Sequence, residues 1–418
     1  MTGKEKLKNA INHQDAPLLL DIGGGPTTGM HCSLVEKMRD YYGLEKRTVK
    51  IVEPMQMLGE MDEDLKEAMG IQTIGIDSGS NLFGFRQDNY KEFCTPWGQE
   101  VLVPGAFEVD VDAKGDLFLY AQGNRNYPPA AHMPVSGFFF DMTNRAEEFD
   151  EDDYNVEDNF AEFGPIDDTA LAHLQNMRDQ YENTSHAVMG NLGSTSFGDI
   201  ALVPGPSLVN PKGIRRMDDW YMATVIHQDK IHEIFEYELD WAIKNLEKMS
   251  KVLGDTIQIA YICGNDFGTQ RAPFCSPETF RSLYAPYYKA VNDWIHTHTN
   301  WKTFKHTCGN IRVLIPELID AGFDCLNPVQ WTADNMDRRE IKKEFGDHVV
   351  YWGGGVDTQR TLPFGTPDEV YHQVLENCKI FGKGGGFVFN TIHNIVANTP
   401  VENLAAMVRA VKEYNGEN

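Results

Sequence analysis

No stretch of this 418-residue chain approaches the roughly twenty consecutive apolar residues of a membrane-spanning helix, so no membrane segment is expected. Basic residues are scarce: 37 Lys and Arg stand against 62 Asp and Glu, a formal net charge of −25. A phosphate backbone needs a basic surface, and no basic cluster stands out, so nucleic acid is excluded as a partner. Cysteine is limited to seven residues (Cys32, Cys94, Cys263, Cys275, Cys308, Cys325 and Cys378). The set is odd and widely spaced and gives no disulfide framework, which points to a reducing cytoplasm. Met1 to Asp15 is charged and polar and lacks the apolar core of a secretory signal. A G-x-S-x-G elbow is missing, which argues against a serine hydrolase. The glycine runs match neither a phosphate loop nor a dinucleotide fingerprint. The acidic run Glu147 to Asp153 lacks the ligand spacing and central glycine of a calcium loop and reads as a solvated loop.

What is present is an alternation of short β-rich runs with helical stretches. Eight strand candidates recur: 18–22, 71–76, 187–192, 257–263, 302–308, 324–327, 349–352 and 386–390. Helical segments separate most of them, which favours parallel pairing and an α/β fold, a (β/α)8 TIM barrel. Residues 228–253 carry apolar side chains at Ile231, Ile234, Phe235, Leu239, Ala242, Leu246 and Met249, a helical period closed by Gly254. Thr366-Pro367-Asp368-Glu369 and Thr399-Pro400-Val401-Glu402 read as capping boxes with proline at the first helical position, and Ser276-Pro277-Glu278 as a third helix start. The alternation breaks between about Pro104 and Ser185. The expectation is one barrel domain over residues 1–418 with an inserted excursion, a lid or small subdomain, at about 104–185.

Barrel enzymes carry reactive groups at the C-terminal ends of their strands. Here those ends run into Asp21 and His31, Asn265 and Asp266, His306 and Cys308, Asn327 with Gln330 and Trp331, Asp357, and Asn390 with His393. The sharpest signal is His306-Thr307-Cys308-Gly309, which closes the β-type segment Trp301 to Lys305. Residues two apart on a strand share a face, so the imidazole and the thiol converge as half of a zinc site. A core histidine beside a buried cysteine is the plainer alternative.

Longer runs carry a resemblance. These are His306 to Gly309, Glu317 to Gln330 (ELIDAGFDCLNPVQ), Tyr351 to Gln359 (YWGGGVDTQ), Gly384 to Phe389, His393-Asn394-Ile395 and Thr399 to Asn403. Gly29 to Ser33 and Glu53 to Leu58 add to them. Together they resemble the uroporphyrinogen decarboxylase superfamily, and more closely its corrinoid-dependent methyltransferase branch. The resemblance implies a barrel. In the family's zinc methyltransferases an H-x-C pair and a distant cysteine just before a T-P-x-E-N helix start hold the metal, and in this chain that distant slot is His393. The implied metal set is therefore His306, Cys308 and His393, with Asp266 as a fourth ligand or proton donor. Gln330 and Asp357 are expected to bind substrate or corrinoid, and His31 to line the mouth. Trp331, Phe138 and Phe139 are expected to form an aromatic wall. The early region Leu18 to Thr28 has no arginine, which argues against decarboxylation of a polyanionic tetrapyrrole.

The implied activity is zinc-assisted methyl transfer between a small donor or acceptor (a thiol, methyl ether or methanol-like compound) and a corrinoid carried by a partner protein. The rivals are a metal-free lyase acting on a small acid and a non-catalytic module that binds the corrinoid protein.

Overall fold

A computed structural model describes residues 1–417. Its centre is a seven-stranded parallel sheet: β1 (Thr73–Asp77), β2 (Ala187–Asn191), β3 (Ile259–Cys263), β4 (Lys302–His306), β5 (Cys325–Asn327), β6 (Val350–Trp352) and β7 (Phe387–Val388). They lie side by side in chain order. The expected first strand, 18–22, survives as a single parallel bridge between Leu20 and Phe389. It still closes the cylinder. Asp21 N donates to Phe389 O (2.9 Å), Phe389 N to Leu19 O (2.9 Å), and Gln72 N to Leu20 O (3.2 Å). The fold is the expected (β/α)8 barrel, with one strand reduced to a seam.

Alternating side chains of these strands fill the interior: Leu19, Met189, Ile259, Tyr261, Phe304, Val350, Trp352 and Val388 form one buried cluster. The N-terminal helix Gly3–Ile11 contributes Leu7 and Ala10 to the same cluster. It starts with a Thr2/Glu5 capping box, and Lys4 N donates to Ser185 O (3.2 Å), two residues before β2 begins. The helix therefore plugs the N-terminal end of the barrel and leaves the opposite end open for chemistry.

Asp21 stitches the seam. It is fully buried, and its carboxylate accepts from Thr73 Oγ1 (2.6 Å) on β1, Gly24 N (2.9 Å) and Trp352 Nε1 (2.7 Å) on β6.

Helix Gln228–Leu253 ends at Gly254 as expected, with a positive φ of 50°. The Thr366/Glu369 capping box is formed, and Ser276 caps the next turn through Thr279 N. The Thr399 expectation needs correction. Pro400 is the N-cap of Val401–Tyr414 and the helix has no side-chain cap, because the Thr399 hydroxyl donates to Val396 O (2.9 Å). Extra strands begin earlier than the sequence pattern suggests. Val49–Glu53, Leu58–Gly59, Lys91–Cys94 and Glu100–Val103 form a mixed sheet. Val109–Val111, Leu117–Leu119, Ala131–Met133 and Asp141–Met142 form an antiparallel one. Both sheets consist of strands of two to five residues, too short for a period of two to stand out in the sequence.

Replacing Asp21 with leucine strands three buried donors, so we expect a loss of about 3 kcal/mol or more, read from urea unfolding midpoints. An unchanged midpoint would show that the seam does not depend on this carboxylate.

Candidate functional site

β4 ends at His306, and the chain turns sharply through Thr307, Cys308 and Gly309. Gly309 is required there. Its φ is +87°, and a Cβ at this position would lie 2.3 Å from the Gly268 backbone. Three bonds hold the turn: Phe267 N to Thr307 Oγ1 (2.8 Å), Cys308 N to Asp266 Oδ1 (2.7 Å) and Gly309 N to Gln330 Oε1 (2.7 Å). His393 arrives from beyond β7 with an unusual φ of 112°. The backbone N–H groups of Gly354 and Gly355 anchor its loop by donating to Thr391 O (3.3 Å) and Asn390 O (2.8 Å). A Cβ at Gly355 would lie 2.3 Å from the Phe389 ring, so the glycine run serves this close approach.

The structure brings His306, Cys308 and His393 together, one donor atom of each lying within 4.8 Å of the others. His306 Nε2 and Cys308 Sγ are 3.5 Å apart, and the two imidazole centroids are 5.2 Å apart at 73°. Two ligands at about 2.0 and 2.3 Å from a tetrahedral ion lie roughly 3.5 Å apart, so the donor set fits zinc.

The tautomer follows from the neighbours. Asn327 Nδ2 donates to Trp352 O (2.8 Å), which fixes Asn327 Oδ1 as an acceptor. His306 Nδ1 lies 2.6 Å from that oxygen and carries the hydrogen, so its Nε2 presents a lone pair to Cys308 and His393. Asn327 was legible only as a polar strand end, since nothing in its sequence context marks it as the partner of His306.

Burial pushes His306 down to about 3 and His393 down to about 4, so both imidazoles are neutral at physiological pH. Burial, together with the Asp266 carboxylate, holds the Cys308 thiol well above its ordinary range. A bound divalent cation would reverse that balance. Asp266 Oδ1 is 3.6 Å from His306 Nε2, and the Asp266 side chain is 34% exposed. Lys305 points away from the barrel interior. Its ammonium donates to Asn265 O (2.6 Å) and His306 O (2.5 Å), tying the loop that carries Asp266 to the end of β4.

The other expected residues lie outside this three-donor cluster. Gln330 is buried and holds the Gly309 turn. Trp331 Nε1 donates to Gly354 O (2.7 Å), and the Arg338 guanidinium sits 4.8 Å over its ring. Asp357 is buried, and its Oδ1 accepts from Gln359 N (2.8 Å) and Arg360 N (3.3 Å). His31 caps helix Cys32–Tyr41 through Ser33 N and bonds Phe138 O with Nε2 (3.0 Å). Phe138 and Trp97 pack against its ring, while Phe139 is exposed.

The histidine shifts give a signed prediction. Unfolded histidine titrates near about 6.5, while His306 and His393 are depressed in the folded chain. Between those values the unfolded state binds more protons. Stability is thus present above the unfolded pKa and lost as pH falls from there toward the folded values. Chelator-stripped protein should show falling urea midpoints from pH 7.5 to 5, with a shallower slope in His306→Asn.

A family model described as Uroporphyrinogen decarboxylase (URO-D) matches residues 206–414, half of the chain. The chain is similar to a methylated-thiol–coenzyme M methyltransferase of Methanosarcina mazei, 25% identical over 201 residues (48% of each chain). It is also similar to a uroporphyrinogen decarboxylase of Coxiella burnetii, 29% identical over 104 residues, covering 25% of this chain and 27% of that one. These matches thus span about a quarter to a half of the relatives' lengths. A solved methyltransferase from Methanosarcina mazei shares the fold over 99% of both chains, at 14% identity and a TM-score of 0.55. With half its length matched by the family model and the barrel in place, the chain belongs to the uroporphyrinogen decarboxylase family.

Proposed function

We propose that this protein is a methyltransferase that moves a methyl group between a small donor or acceptor and a corrinoid carried by a partner protein. His306, Cys308 and His393 would hold a zinc ion. The convergence of these three donor atoms carries the reading. The similarity to a methylated-thiol–coenzyme M methyltransferase of Methanosarcina mazei supports it.

Zinc bound there would keep a thiol ionised at neutral pH or polarise a donor oxygen. The chain's own residues supply the rest. Asn327 fixes the tautomer of His306. Asp266 spends one oxygen on Cys308 N, which leaves the other free to take the proton of an incoming thiol and pass it to solvent. The buried Trp352 and Phe304 in the barrel interior exclude water from beneath the donors. In-line placement is the main demand of such a displacement, and a rigid strand-end site meets it. We read 104–185 as an insertion on the single barrel domain, joined to the mouth where Phe138 O meets His31. Two neutral imidazoles beside a thiol suit a borderline divalent ion, which favours this reading over a metal-free lyase.

Two measurements test the proposal together. Wild-type protein should contain about one zinc per chain. His306→Ala, Cys308→Ser and His393→Ala should each lose it, and Asn327→Ala should weaken zinc affinity roughly 10- to 100-fold. Methyl transfer between methylcobalamin and small thiols should fall at least about 100-fold in the three ligand variants. Metal-independent turnover on a small acid would put a lyase in its place. Full partner binding with no methyl transfer in wild type would leave only a docking module.

A further inference from the structure

Beyond the seam at Leu20 the chain continues as a glycine-rich segment, residues 23–29, laid over the side chains that fill the barrel. A Cβ at Gly25 would lie 2.8 Å from Met189 Sδ and 4.0 Å from Tyr261 Cδ2, both in the interior cluster. The segment folds on itself: Gly23 N donates to Thr28 O (2.8 Å) and Gly25 N to Thr28 Oγ1 (3.0 Å). It is also tied to the loop that bears His393. Gly29 N donates to Asn394 Oδ1 (2.5 Å), Asn394 Nδ2 to Pro26 O (2.9 Å), and Ile395 N to Gly29 O (2.9 Å).

Between these anchors sits Thr27, 8% exposed. Its hydroxyl donates to Asn327 Oδ1 (3.2 Å), the same oxygen that lies 2.6 Å from His306 Nδ1. An amide oxygen offers two lone pairs, and here both are used. With its Nδ2 on Trp352 O (2.8 Å), the fully buried Asn327 amide is held at three points by three separate parts of the chain. Without the Thr27 hydroxyl one buried lone pair is left unpaired, and only Trp352 and His306 itself orient the amide. The hydrogen of His306 is then less firmly fixed on Nδ1, because Asp266 Oδ1, 3.6 Å from Nε2, can accept it on the other side of the ring. An imidazole with its hydrogen on Nε2 presents no lone pair to Cys308 and His393.

We propose that Thr27 is a positioning residue for the donor set: through Asn327 it holds His306 in its metal-binding tautomer, while the ends of its segment hold the loop of His393. The inference rests on the reading of His306, Cys308 and His393 as a metal site. One segment thus braces both imidazoles from a part of the chain remote from either in sequence. A purely structural role for Thr27 predicts a loss of stability alone. A positioning role predicts a change in the His306 tautomer and a weaker hold on metal, both of which follow the hydroxyl rather than the shape of the side chain.

Thr27→Val keeps the shape and removes the hydroxyl, whereas Thr27→Ser keeps the hydroxyl. Nitrogen NMR of the full-length, metal-free protein labelled at histidine, with His306→Asn to assign the signal, reads the tautomer directly. Wild type and Thr27→Ser should carry the His306 hydrogen on Nδ1, and Thr27→Val should show a sizeable fraction on Nε2. Cobalt(II), titrated against a competing chelator and followed by its thiolate charge-transfer band, should bind Thr27→Val about tenfold more weakly than wild type, with Thr27→Ser restoring the affinity. Cooperative urea transitions establish that each variant is folded. A wild-type tautomer in Thr27→Val overturns the inference. So does equal impairment of Thr27→Val and Thr27→Ser, which would put the effect in packing rather than in the hydroxyl. The two readings fail separately: a wild type that takes up no cobalt removes the metal site, and the tautomer still decides the role of Thr27.

Discussion

The site depends on taking two imidazoles and a thiol out of water at the ends of strands that the barrel holds rigid. Burial denies His306 and His393 their protons and holds the Cys308 proton in place. The three groups are therefore uncharged yet rich in lone pairs, an arrangement that resists collapse by ion pairing. Few contacts offer an alternative. His306 has committed one nitrogen to Asn327, and the hydrogen bond found at His393 involves its backbone carbonyl rather than its ring. Preorganisation of this kind is built from the strand register, because β4 and β5 align His306 with Asn327.

The closing seam and the site are one construction. Asp21 ties the reduced first strand to β1 and β6, and Asn390 Nδ2 donates to Asp21 O (2.8 Å). Asn390 in turn leads into the loop that bears His393, and Gly353 to Gly355 pack against the same loop. A contact that keeps the cylinder shut thus also sets where the third donor arrives. Lys305 does the corresponding work on the other side by joining the Asp266 loop to β4 through two carbonyls.

Much of this was legible in the sequence because barrel chemistry lies at predictable strand ends. His306 and Cys308 converge as alternation requires, even though regular pairing stops at His306 and the turn completes the approach. His393 was legible only through the resemblance, because an isolated histidine beyond a strand has no local signature. Gln330 and Asp357, expected from their strand-end polarity to meet substrate or corrinoid, also bond backbone N–H groups that tight turns leave without partners. Asn327 shows in the sequence only as a polar strand end, because its bond to His306 comes from a neighbour distant in sequence and a linear reading does not carry that distance. The mixed sheet of Val49 to Val103 was hidden by the shortness of its strands.

The histidine at position 393 has an electrostatic consequence. A divalent ion held by two thiolates and one imidazole is neutral, whereas one thiolate and two imidazoles leave a charge of +1. Such a centre would be the stronger electrophile, and inside a barrel its charge would need an answer. Asp266 is placed to give it. Its carboxylate is anchored on Cys308 N, 3.6 Å from His306 Nε2, and is open to solvent on one side. With such an ion bound, Asp266 would balance the charge that a second thiolate would otherwise supply.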